Sequence, residues 1–387
     1  RPARGRDPGC PAHVLSDSSR QADFPSLAGR SYLNTAAEGI PPETVVRALH
    51  QYAEDKLLGM DGRELHQVQW EGAKREAASA YGLSVDEIGI CSSSSEAFNL
   101  AAMALQLREG DEVVINDLDF PAGATPWLQD SCPARTRVWQ ARDGALRIED
   151  LEPLLGPRTR LVTTSLVSFF NGYRIDVDEL LATVRGHSPS LLALDVTQAL
   201  GRIPLQLEDV DLVVSSTHKW ILASHGGGLV GVPAARASEW TVPAGGWFHL
   251  QDAFGSGRFE QAASKPGAAS FTVGMPNYAA VYAIHAALAY IRSVGVAAID
   301  QQKRPLVQQC LAELKRLPVE LLTPDEPEHL AGILAFRHPE AERLHQNLRA
   351  AGVHTMSHAG RLRVAIHGYN TAADIERLVQ VLRKSLR

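Results

Sequence analysis

The chain has 387 residues, 45% of them hydrophobic and 21% charged, and 38 basic against 44 acidic residues give a net charge of −6. This composition is typical of a globular protein, and the acidic excess provides no basic surface for nucleic acid or an anionic membrane. Seven of the basic residues are lysines, and the four cysteines lie far apart. We therefore expect no disulfide scaffold, no metal site and a reducing, cytoplasmic setting.

Residues 1–28 are rich in arginine, proline, serine and aspartate and show no clear periodicity, which predicts a flexible leader. They also lack the apolar run of a secretory signal. The longest apolar stretch, residues 278–291, is too short for a membrane span and contains His285, so it is expected to be a buried helix.

Helical and strand patterns alternate after the leader. A helix is predicted over residues 64–81 and ends at Gly82, and further segments follow in the order strand 87–91, helix 96–108, strand 112–116, strand 161–169, helix 177–185, strand 191–196 and strand 210–216. Short apolar strands that alternate with helices predict an α/β fold, with a mostly parallel sheet covered by helices on both faces.

The pattern changes near residue 281, where a long helix is followed by two strand patterns and two further helices. The second strand, 361–367, alternates with period two, which predicts a smaller α+β domain with a half-exposed sheet. We divide the chain into an N-terminal segment that contributes to the small domain (29–60), a large domain (61–280) and a C-terminal small domain (281–387).

A run of four serines, 92–95, lies between a predicted strand and a predicted helix. Hydroxyl groups and free N–H groups at a helix N-terminus favour an anion, although an ordinary helix cap is the alternative. No Gly-Lys-Ser/Thr follows, and the chain has no GxGxxG strand–helix motif, which disfavours a nucleotide-binding enzyme.

Asp195 and Lys219 follow two consecutive buried strands, and carboxyl ends of neighbouring parallel strands form the ligand crevice of α/β proteins. Singly, Asp195 could be a helix cap, Lys219 a surface charge and Gly226–Gly228 a tight turn. Together with the serine run, they place an anion site, a carboxylate and an amine at one sheet edge. Pyridoxal 5′-phosphate (PLP) needs all three, for its phosphate, its ring nitrogen and its aldehyde.

Several short motifs now give the chain a resemblance to a known family. It resembles class V aminotransferase-type enzymes of PLP fold type I, and in particular the cysteine desulfurase and isopenicillin N epimerase-like branch. The motifs are Tyr32-Leu-Asn-Thr-Ala-Ala37, Ser93-Ser-Ser-Glu-Ala97, Asp119-Phe-Pro through Pro126-Trp127, Asp195-Val-Thr-Gln198, Ser216-Thr-His-Lys219, Gly274-Met-Pro-Asn277 and Arg363-Val-Ala-Ile-His-Gly-Tyr-Asn-Thr371. Their order and spacing, from about Tyr32 to the C-terminus, make the resemblance specific.

The resemblance implies catalytic roles for three residues. Lys219 would carry PLP as an internal aldimine and, once released, move protons at the substrate Cα, with His218 as an aid. Asp195 would pair with the ring nitrogen. In addition, Gln198 would bond to the ring hydroxyl.

The resemblance also implies the binding residues. Phe120 would stack on the cofactor ring, with a core phenylalanine as the alternative, and Arg363 would bind the substrate carboxylate. Arg361, Arg363 and His367 share one face of the predicted strand, so a solvated face is the alternative there. The phosphate would be held by Ser94, Ser95, Ser216 and His218, and the substrate pocket could also involve Arg361, Trp247 and His249.

Three departures from the family pattern limit which of the family's residue roles can be expected in this chain. Residues 353–361, where desulfurases carry a reactive thiol on a mobile loop, contain no cysteine. Phe169 stands where desulfurases place an asparagine, with Asn171 two residues later, which is closer to the epimerase-like branch. Met275 replaces a threonine that reaches the partner subunit's phosphate site in the family.

We therefore expect a PLP enzyme that acts on an amino acid or related amine in a lyase or epimerase-like reaction without a cysteine persulfide. An aminotransferase and a non-catalytic PLP-binding protein are the alternatives. The resemblance further implies a homodimer with active sites at the subunit interface.

Overall fold

The computed structural model describes residue 15 and residues 17–387. The helices are α1 (Asp17–Asp23), α2 (Glu43–Leu57), α3 (Arg63–Tyr81), α4 (Ser94–Leu105), α5 (Pro121–Ala124), α6 (Ile148–Leu151), α7 (Val177–His187), α8 (Tyr278–Val294), α9 (Val296–Leu314), α10 (Ala341–Ala350) and α11 (Ala372–Ser385). The strands are β1 (Ser31–Tyr32), β2 (Ile88–Cys91), β3 (Glu112–Asn116), β4 (Arg135–Trp139), β5 (Thr159–Ser165), β6 (Leu191–Asp195), β7 (Leu212–Ser216), β8 (Gly228–Gly231), β9 (Glu320–Leu321), β10 (Ile333–Arg337), β11 (Val353–His354), β12 (Met356–His358) and β13 (Arg361–Ala365).

The large domain is built on a seven-stranded sheet with the order β2-β8-β7-β6-β5-β3-β4. The pairs from β7 to β4 are parallel, and only β8 is antiparallel to its neighbours. The predicted mostly parallel sheet is therefore confirmed. The β6 residues are apolar up to Asp195 and all buried, as expected for a parallel strand with both faces covered.

Alternate residues of β6 belong to two different hydrophobic clusters. Leu192 and Leu194 pack into a cluster that includes residues of α3 and α8, whereas Leu191 and Ala193 pack into one that includes residues of α4. Because side chains alternate across a strand, helices cover both faces of the sheet. In the described part of the chain, no single helix could cross a membrane, and only α8 and α9 together, bent by 69°, meet that test.

The small domain has a four-stranded antiparallel sheet with the order β12-β13-β10-β9, packed against α9, α10 and α11. The prediction that this sheet is half exposed is wrong for β13, because all five of its residues are buried. Segment 169–170 of the large domain covers the polar face of the strand: Arg361 donates to the Phe170 carbonyl and Arg363 to the Phe169 carbonyl.

The predicted flexible leader, 1–28, lies partly outside the described residues. Within the described part, residues 17–23 form α1, and Phe24 and Leu27 are buried. The Phe24 ring contacts the Tyr290 ring edge to face at 5.8 Å, so this part of the segment is packed onto the fold. The next segment contributes β1, which pairs in parallel with β11. The proposed domain boundaries stay a prediction.

Candidate active site

Two neighbouring parallel strands bring Asp195 and Lys219 to the same edge of the large sheet. Asp195 is the last residue of β6, and Lys219 follows shortly after the end of β7. Thr197 ties the two strand ends together, since its N–H donates to the Asp195 carboxylate at 2.8 Å and its Oγ1 accepts from the Ser216 N–H at 2.9 Å. The predicted acid and amine therefore lie at the ligand-binding edge of an α/β sheet.

Lys219 is 9% exposed, and its Nζ lies 5.0 Å from the centre of the Phe120 ring. Among the described residues, no carboxylate is within ion-pair distance of this amine. Burial lowers the pKa of Lys219; the charges of Asp195 and Glu38 oppose the shift, and Arg363 adds to it. A lysine with a lowered pKa holds more of the neutral amine, which is the nucleophilic form.

A glycine fixes the backbone at Lys219. The Gly39 N–H donates to the His218 carbonyl at 2.8 Å, and a Cβ built on Gly39 would lie 2.0 Å from the Lys219 carbonyl oxygen. Any side chain at position 39 would displace that carbonyl, so the close approach requires glycine. The sequence does not predict this contact, because Gly39 lies 180 positions from Lys219 in the chain.

Burial raises the pKa of Asp195, and its hydrogen bonds with Thr197 and the charge of Lys219 oppose the shift. Asp119, which follows β3, was not predicted as a site residue. Burial raises its pKa to about 7, and the charge of Asp195 contributes in the same direction. Its carboxylate accepts from the Ser165 N–H at 2.7 Å and from Asn116 Nδ2 at 2.9 Å. A second carboxyl group thus lies beside the predicted one.

The serine run forms the N-terminus of α4. Ser93 is the cap, since its Oγ accepts from the Glu96 N–H at 3.1 Å, while Ser94 is buried and Ser95 is exposed in the first turn. The Glu96 carboxylate accepts from both the N–H and the Oγ of Ser92, at 2.6 Å each. The ordinary cap accounts for Ser93 only, which leaves the hydroxyls of Ser94 and Ser95 for an anion at the helix N-terminus.

Ser216 and His218 follow β7 on the way to Lys219. The Ser216 Oγ is buried and has no hydrogen-bond partner among the described residues. The His218 ring stacks on the His225 ring at 4.7 Å, and His225 in turn pairs with Glu38 at 3.0 Å. Burial, Lys219 and His225 lower the pKa of His218 to about 4, so its imidazole is neutral at pH 7.

The Gln198 amide is largely engaged within the protein. Its Nε2 donates to the Ala36 carbonyl at 3.1 Å, and its Oε1 accepts from Trp220 Nε1 at 2.6 Å. One N–H of the amide is left for the predicted bond to the ring hydroxyl of the cofactor. Phe120 is 40% exposed and contacts Phe169 edge to face at 5.1 Å, so it is not an ordinary core residue.

Asn171 is not directed to this site. Its Nδ2 donates to the carbonyls of Gly144 and Leu322, and its Oδ1 accepts from the Tyr173 N–H. The amide therefore organises its own loop, and Phe169 is the residue of this segment that reaches the Phe120 ring.

Arg361 and Arg363 are both 3% exposed, so neither lies on a solvated face. Burial lowers the pKa of each guanidinium to about 10; Arg337 adds to the lowering for Arg361, and Arg361 adds to it for Arg363. The charge of Arg363 also reaches Lys219, as the pKa of the lysine shows. The predicted carboxylate-binding arginine is therefore coupled to the predicted catalytic amine.

Two further predicted pocket residues differ in environment. His249 is fully buried, and its ring nitrogens bond to the carbonyls of Val273 and Ala244, which indicates a structural role. Trp247 is 36% exposed. Met275 is 44% exposed and lines a cleft together with Ser92, Glu96 and Asn277 of its own chain. Its position near the partner subunit's phosphate site stays a prediction.

These residues fit PLP on structural grounds. Within the described part of the chain, the edge of the sheet presents a buried hydroxyl without a hydrogen-bond partner (Ser216), a buried amine without a carboxylate at ion-pair distance (Lys219) and a buried carboxylate (Asp195). Buried polar groups of this kind are costly unless a ligand completes their interactions. The phosphate, aldehyde and ring nitrogen of PLP are complementary to them in that order.

The model of the family "Aminotransferase class-V" matches residues 31–378, which is most of the chain. The chain belongs to the class V aminotransferase family. Among its curated relatives is the "Uncharacterized aminotransferase YcbU" of Bacillus subtilis, which is 26% identical over 94% of this chain and 96% of that protein. A cysteine desulfurase of Yersinia pseudotuberculosis is also 26% identical, over 94% of this chain and 97% of that protein.

Solved structures of similar proteins show the same fold. The apo cysteine desulfurase of Thermococcus onnurineus superposes with a TM-score of 0.87 at 20% identity and covers 97% of this chain and 99% of its own. C-DES, a cystine C–S lyase, superposes in two structures at 21% identity. A mutant with glycine covalently linked to the PLP cofactor has a TM-score of 0.83 and covers 94% of this chain and 98% of its own. The complex with cysteine persulfide has a TM-score of 0.82 and covers 93% and 98%.

This class V aminotransferase family member therefore has PLP fold type I and is a PLP-dependent enzyme, as the sequence predicts. The cofactor is PLP.

Proposed function

We propose that this enzyme catalyses a lyase or epimerase-like reaction at Cα or Cβ of an amino acid or related amine, without a cysteine persulfide. The observation that carries the proposal is Lys219, a buried amine with no counter-ion among the described residues and with a charge coupled to both Asp195 and Arg363. An amine held in this way suits bond formation with an aldehyde and proton transfer at an adjacent carbon.

Bound PLP supplies an aldehyde that links to amines and a ring that stabilises negative charge at Cα. In our proposal, Asp195 would keep a proton on the ring nitrogen, and Lys219 Nζ would take the proton from Cα. In a lyase the electron pair left at Cα would expel a substituent from Cβ, and in an epimerase Cα would be reprotonated on its opposite face. Arg363 orients the substrate by binding its α-carboxylate, and Phe120 packs on the ring. The phosphate is held by Ser94, Ser95, Ser216 and His218.

His218 fits the phosphate better than the proton-transfer step. A group with a pKa of about 4 is a weak base at pH 7, so its contribution to moving a proton at Cα is small. Its neutral imidazole is still able to donate a hydrogen bond to an anion. We therefore assign removal of the Cα proton to Lys219.

The segment ahead of Arg363 argues against a persulfide mechanism. Residues 353–361 contain no cysteine, and β12 joins β13 through a two-residue hairpin turn at Ala359 and Gly360. Both turn residues have positive φ, 51° and 75°, as a tight type I′ turn requires. A short hairpin stands where a mobile thiol loop would be needed, and the described cysteines lie elsewhere, at positions 91, 132 and 310.

An aminotransferase is the second candidate, and the likeness to the Bacillus subtilis protein favours it. The same residues serve both candidates, because each reaction begins with loss of the Cα proton to Lys219. In a lyase a substituent would then leave Cβ, in an epimerase Cα would be reprotonated on its opposite face, and in an aminotransferase the proton would go to the cofactor carbon.

The first test is borohydride reduction of the PLP-loaded protein, followed by peptide mass spectrometry. We expect a pyridoxyl adduct on Lys219 and none in Lys219→Ala. Lys265→Ala is the matched control, because Lys265, although only half-buried, also lies over an aromatic ring, 5.6 Å from the centre of Phe248. This variant should keep the adduct on Lys219. An adduct on any other lysine in the wild-type protein would overturn the proposal.

The second test separates the two reaction types. The holoenzyme is incubated with single amino acids in D₂O, without a 2-oxo acid. We expect deuterium at Cα or loss of a β-substituent over many turnovers, with the cofactor recovered as the aldehyde. Stoichiometric conversion of PLP to pyridoxamine 5′-phosphate, reversed by a 2-oxo acid, would instead identify an aminotransferase.

A further inference from the structure

Two arginines lie side by side on β13 and point to the same side of the strand. Arg361 and Arg363 are separated by one residue, and side chains two apart in a strand share a face. Each is anchored by its Nη1 to one of two consecutive carbonyls of the large domain, Arg361 to Phe170 at 2.7 Å and Arg363 to Phe169 at 2.8 Å. The two guanidinium groups are therefore held next to each other.

Neither guanidinium has an anionic partner among the residues that the structure describes. Both side chains are 3% exposed, no described carboxylate lies within ion-pair distance of either, and the Nε of each is buried without a hydrogen-bond partner among the described residues. Burying a charged group without a counter-ion is strongly unfavourable, and two adjacent like charges add to the cost. Such a pair is expected where ligand anions complete the site.

The neighbouring strands do not supply the missing charge. Arg337 lies directly opposite Arg361 on β10, so a third cation faces the pair. Arg337 is itself paired with Glu320, at 3.5 Å, and is half exposed. On the other side of β13, His358 lies opposite Arg361 and Met356 opposite Arg363. The described groups around the two arginines are thus cationic, aromatic or neutral.

A continuous aromatic wall connects Arg361 with the catalytic lysine. The Lys219 Nζ lies 5.0 Å from the Phe120 ring, the Phe120 ring 5.1 Å from the Phe169 ring, and the Phe169 ring 5.6 Å from the Arg361 Cζ. The Arg361 Cζ also lies 4.1 Å from the centre of the Phe170 ring. Aromatic rings that flank a guanidinium fix its orientation while leaving its N–H edges for a bidentate anion.

We infer that the substrate is an amino acid with a second anionic group in its side chain, a carboxylate or a sulfur oxyanion. Arg363 binds the α-carboxylate, and Arg361 binds the side-chain anion through its free N–H groups. The inference rests on the proposed function for the role of Arg363, and it extends that function by naming the substrate class. Because both recognition groups are guanidiniums, a neutral isostere of the substrate would leave Arg361 buried and unpaired.

A purely structural role for Arg361 is the competing explanation. In that case its cation–π contact with Phe170 and its bond to the Phe170 carbonyl would be its whole function. A structural arginine would stabilise the fold or the loop equally for all ligands. It would not make binding depend on the charge of the ligand side chain, and this difference defines the test.

The experiment measures amino acid affinity for the PLP-loaded enzyme from the change in the visible absorbance of the bound cofactor. L-aspartate and L-cysteinesulfinate are compared with L-asparagine, a neutral isostere of aspartate. In the wild-type enzyme, we expect the better of the two anionic ligands to bind at least about tenfold more tightly than asparagine. The better of the two also identifies the side-chain anion as a carboxylate or a sulfur oxyanion.

Arg361→Gln should reduce this ratio to within about threefold, since the charge-assisted contact with the side-chain anion is lost. Arg361→Lys should restore part of the ratio. Arg337→Gln removes a neighbouring, half-exposed charge and is the matched control; it should keep most of the discrimination.

Equal affinity for aspartate and asparagine in the wild-type enzyme, with cysteinesulfinate no tighter, would overturn the inference. It would also be overturned if the ratio survived in Arg361→Gln or fell equally in Arg337→Gln, because the ratio would then report no specific contact with Arg361. Failure of the proposed function is distinguishable, since it would appear as a missing pyridoxyl adduct on Lys219 before any ligand is added.

Discussion

Three buried polar side chains lie at the site, those of Lys219, Asp195 and Ser216. The described residues satisfy the hydrogen-bonding or charge requirements of each group only in part or not at all. In an ordinary core, such groups would be replaced or paired, because an unsatisfied buried polar group costs about 1–3 kcal/mol. They lie within one sheet edge, and their chemistry matches the three polar parts of PLP. At the scale of single residues, these side chains therefore lower the stability of the folded apoprotein and favour the binding of PLP.

Asp119 makes a pH-dependent contribution to stability in the apoprotein. Its folded-state pKa of about 7 is higher than the value of about 4 in an unfolded chain, so the folded protein binds this proton more tightly. Stability from this group is complete below the unfolded pKa and is lost as pH rises through 7. We expect the free energy of unfolding to fall by about 1–2 kcal/mol between pH 5.5 and pH 8.5.

Denaturant titrations of the apoprotein at several pH values would measure this fall. Asp119→Asn should remove most of it, because the amide does not titrate. Asp117→Asn, two residues away at an exposed position, is the control and should keep it. A pH dependence that is identical in the wild-type protein and Asp119→Asn would show that Asp119 does not titrate in this range.

At the scale of elements, local patterns in the sequence were enough for most of the large domain. Strand 112–116 matches β3, the helix over 64–81 differs from α3 by one residue, and the strand predicted over 191–196 differs from β6 by one. Buried strands are continuous apolar runs, and α3 ends at Gly82 in the left-handed conformation, so these elements are visible from sequence.

Elements whose environment depends on distant contacts were not predictable in this way. A tight turn is the alternative for the run from Gly226 to Gly228 taken singly, but Gly228 begins the antiparallel strand β8, whose partners are β2 and β7. The alternation of β13 suggested an exposed face, yet its arginines are buried because the loop at 169–170 covers them. Neither contact leaves a local signal in either segment.

The same distinction applies to the site. Strand-end position alone placed Asp195 and Lys219 together, because parallel strands align their carboxyl ends. Gly39 and Asp119 could not be predicted from the sequence. Gly39 matters because a Cβ at this position would lie 2.0 Å from the Lys219 carbonyl oxygen, and Asp119 matters because it is buried beside Asp195. The sequence suggests that Arg361 could line the substrate pocket. Only the structure shows that its guanidinium has no carboxylate partner among the described residues.

At the scale of the whole molecule, a homodimer stays a prediction, and the apolar surface between α2 and α3 is consistent with one. Leu57 is 87% exposed, Met60 73% and Val68 56%. Clustered exposed apolar side chains favour a protein interface. We expect a dimer in sedimentation velocity and at least partial dissociation in Leu57→Glu/Met60→Glu. Val138→Glu on the edge strand β4 is the control, and a monomeric wild-type protein would contradict the prediction.

Arg202 joins the two domains. It lies beyond the end of β6, is completely buried, and pairs with Asp300 of α9 at 3.1 Å while its Nε donates to the Ile366 carbonyl just after β13 at 2.9 Å. Asp300 also pairs with the exposed Arg304 of the same helix, so it keeps one partner when Arg202 is removed. The cost should therefore lie at the low end of the about 3–5 kcal/mol typical of a broken buried ion pair. The strand that carries Arg361 and Arg363 is thus held to the large sheet by this contact.

We expect Arg202→Met to lower the free energy of unfolding by about 3 kcal/mol, measured by denaturant titration of the holoenzyme. Arg202→Met/Asp300→Leu should recover part of the loss, because no buried charge is left unpaired. Arg142→Met breaks an exposed pair with Glu149 and should cost less than about 1 kcal/mol. If the double variant were less stable than Arg202→Met by the full cost of a second mutation, the two residues would act independently, and the ion pair would not be what holds the strand to the large sheet.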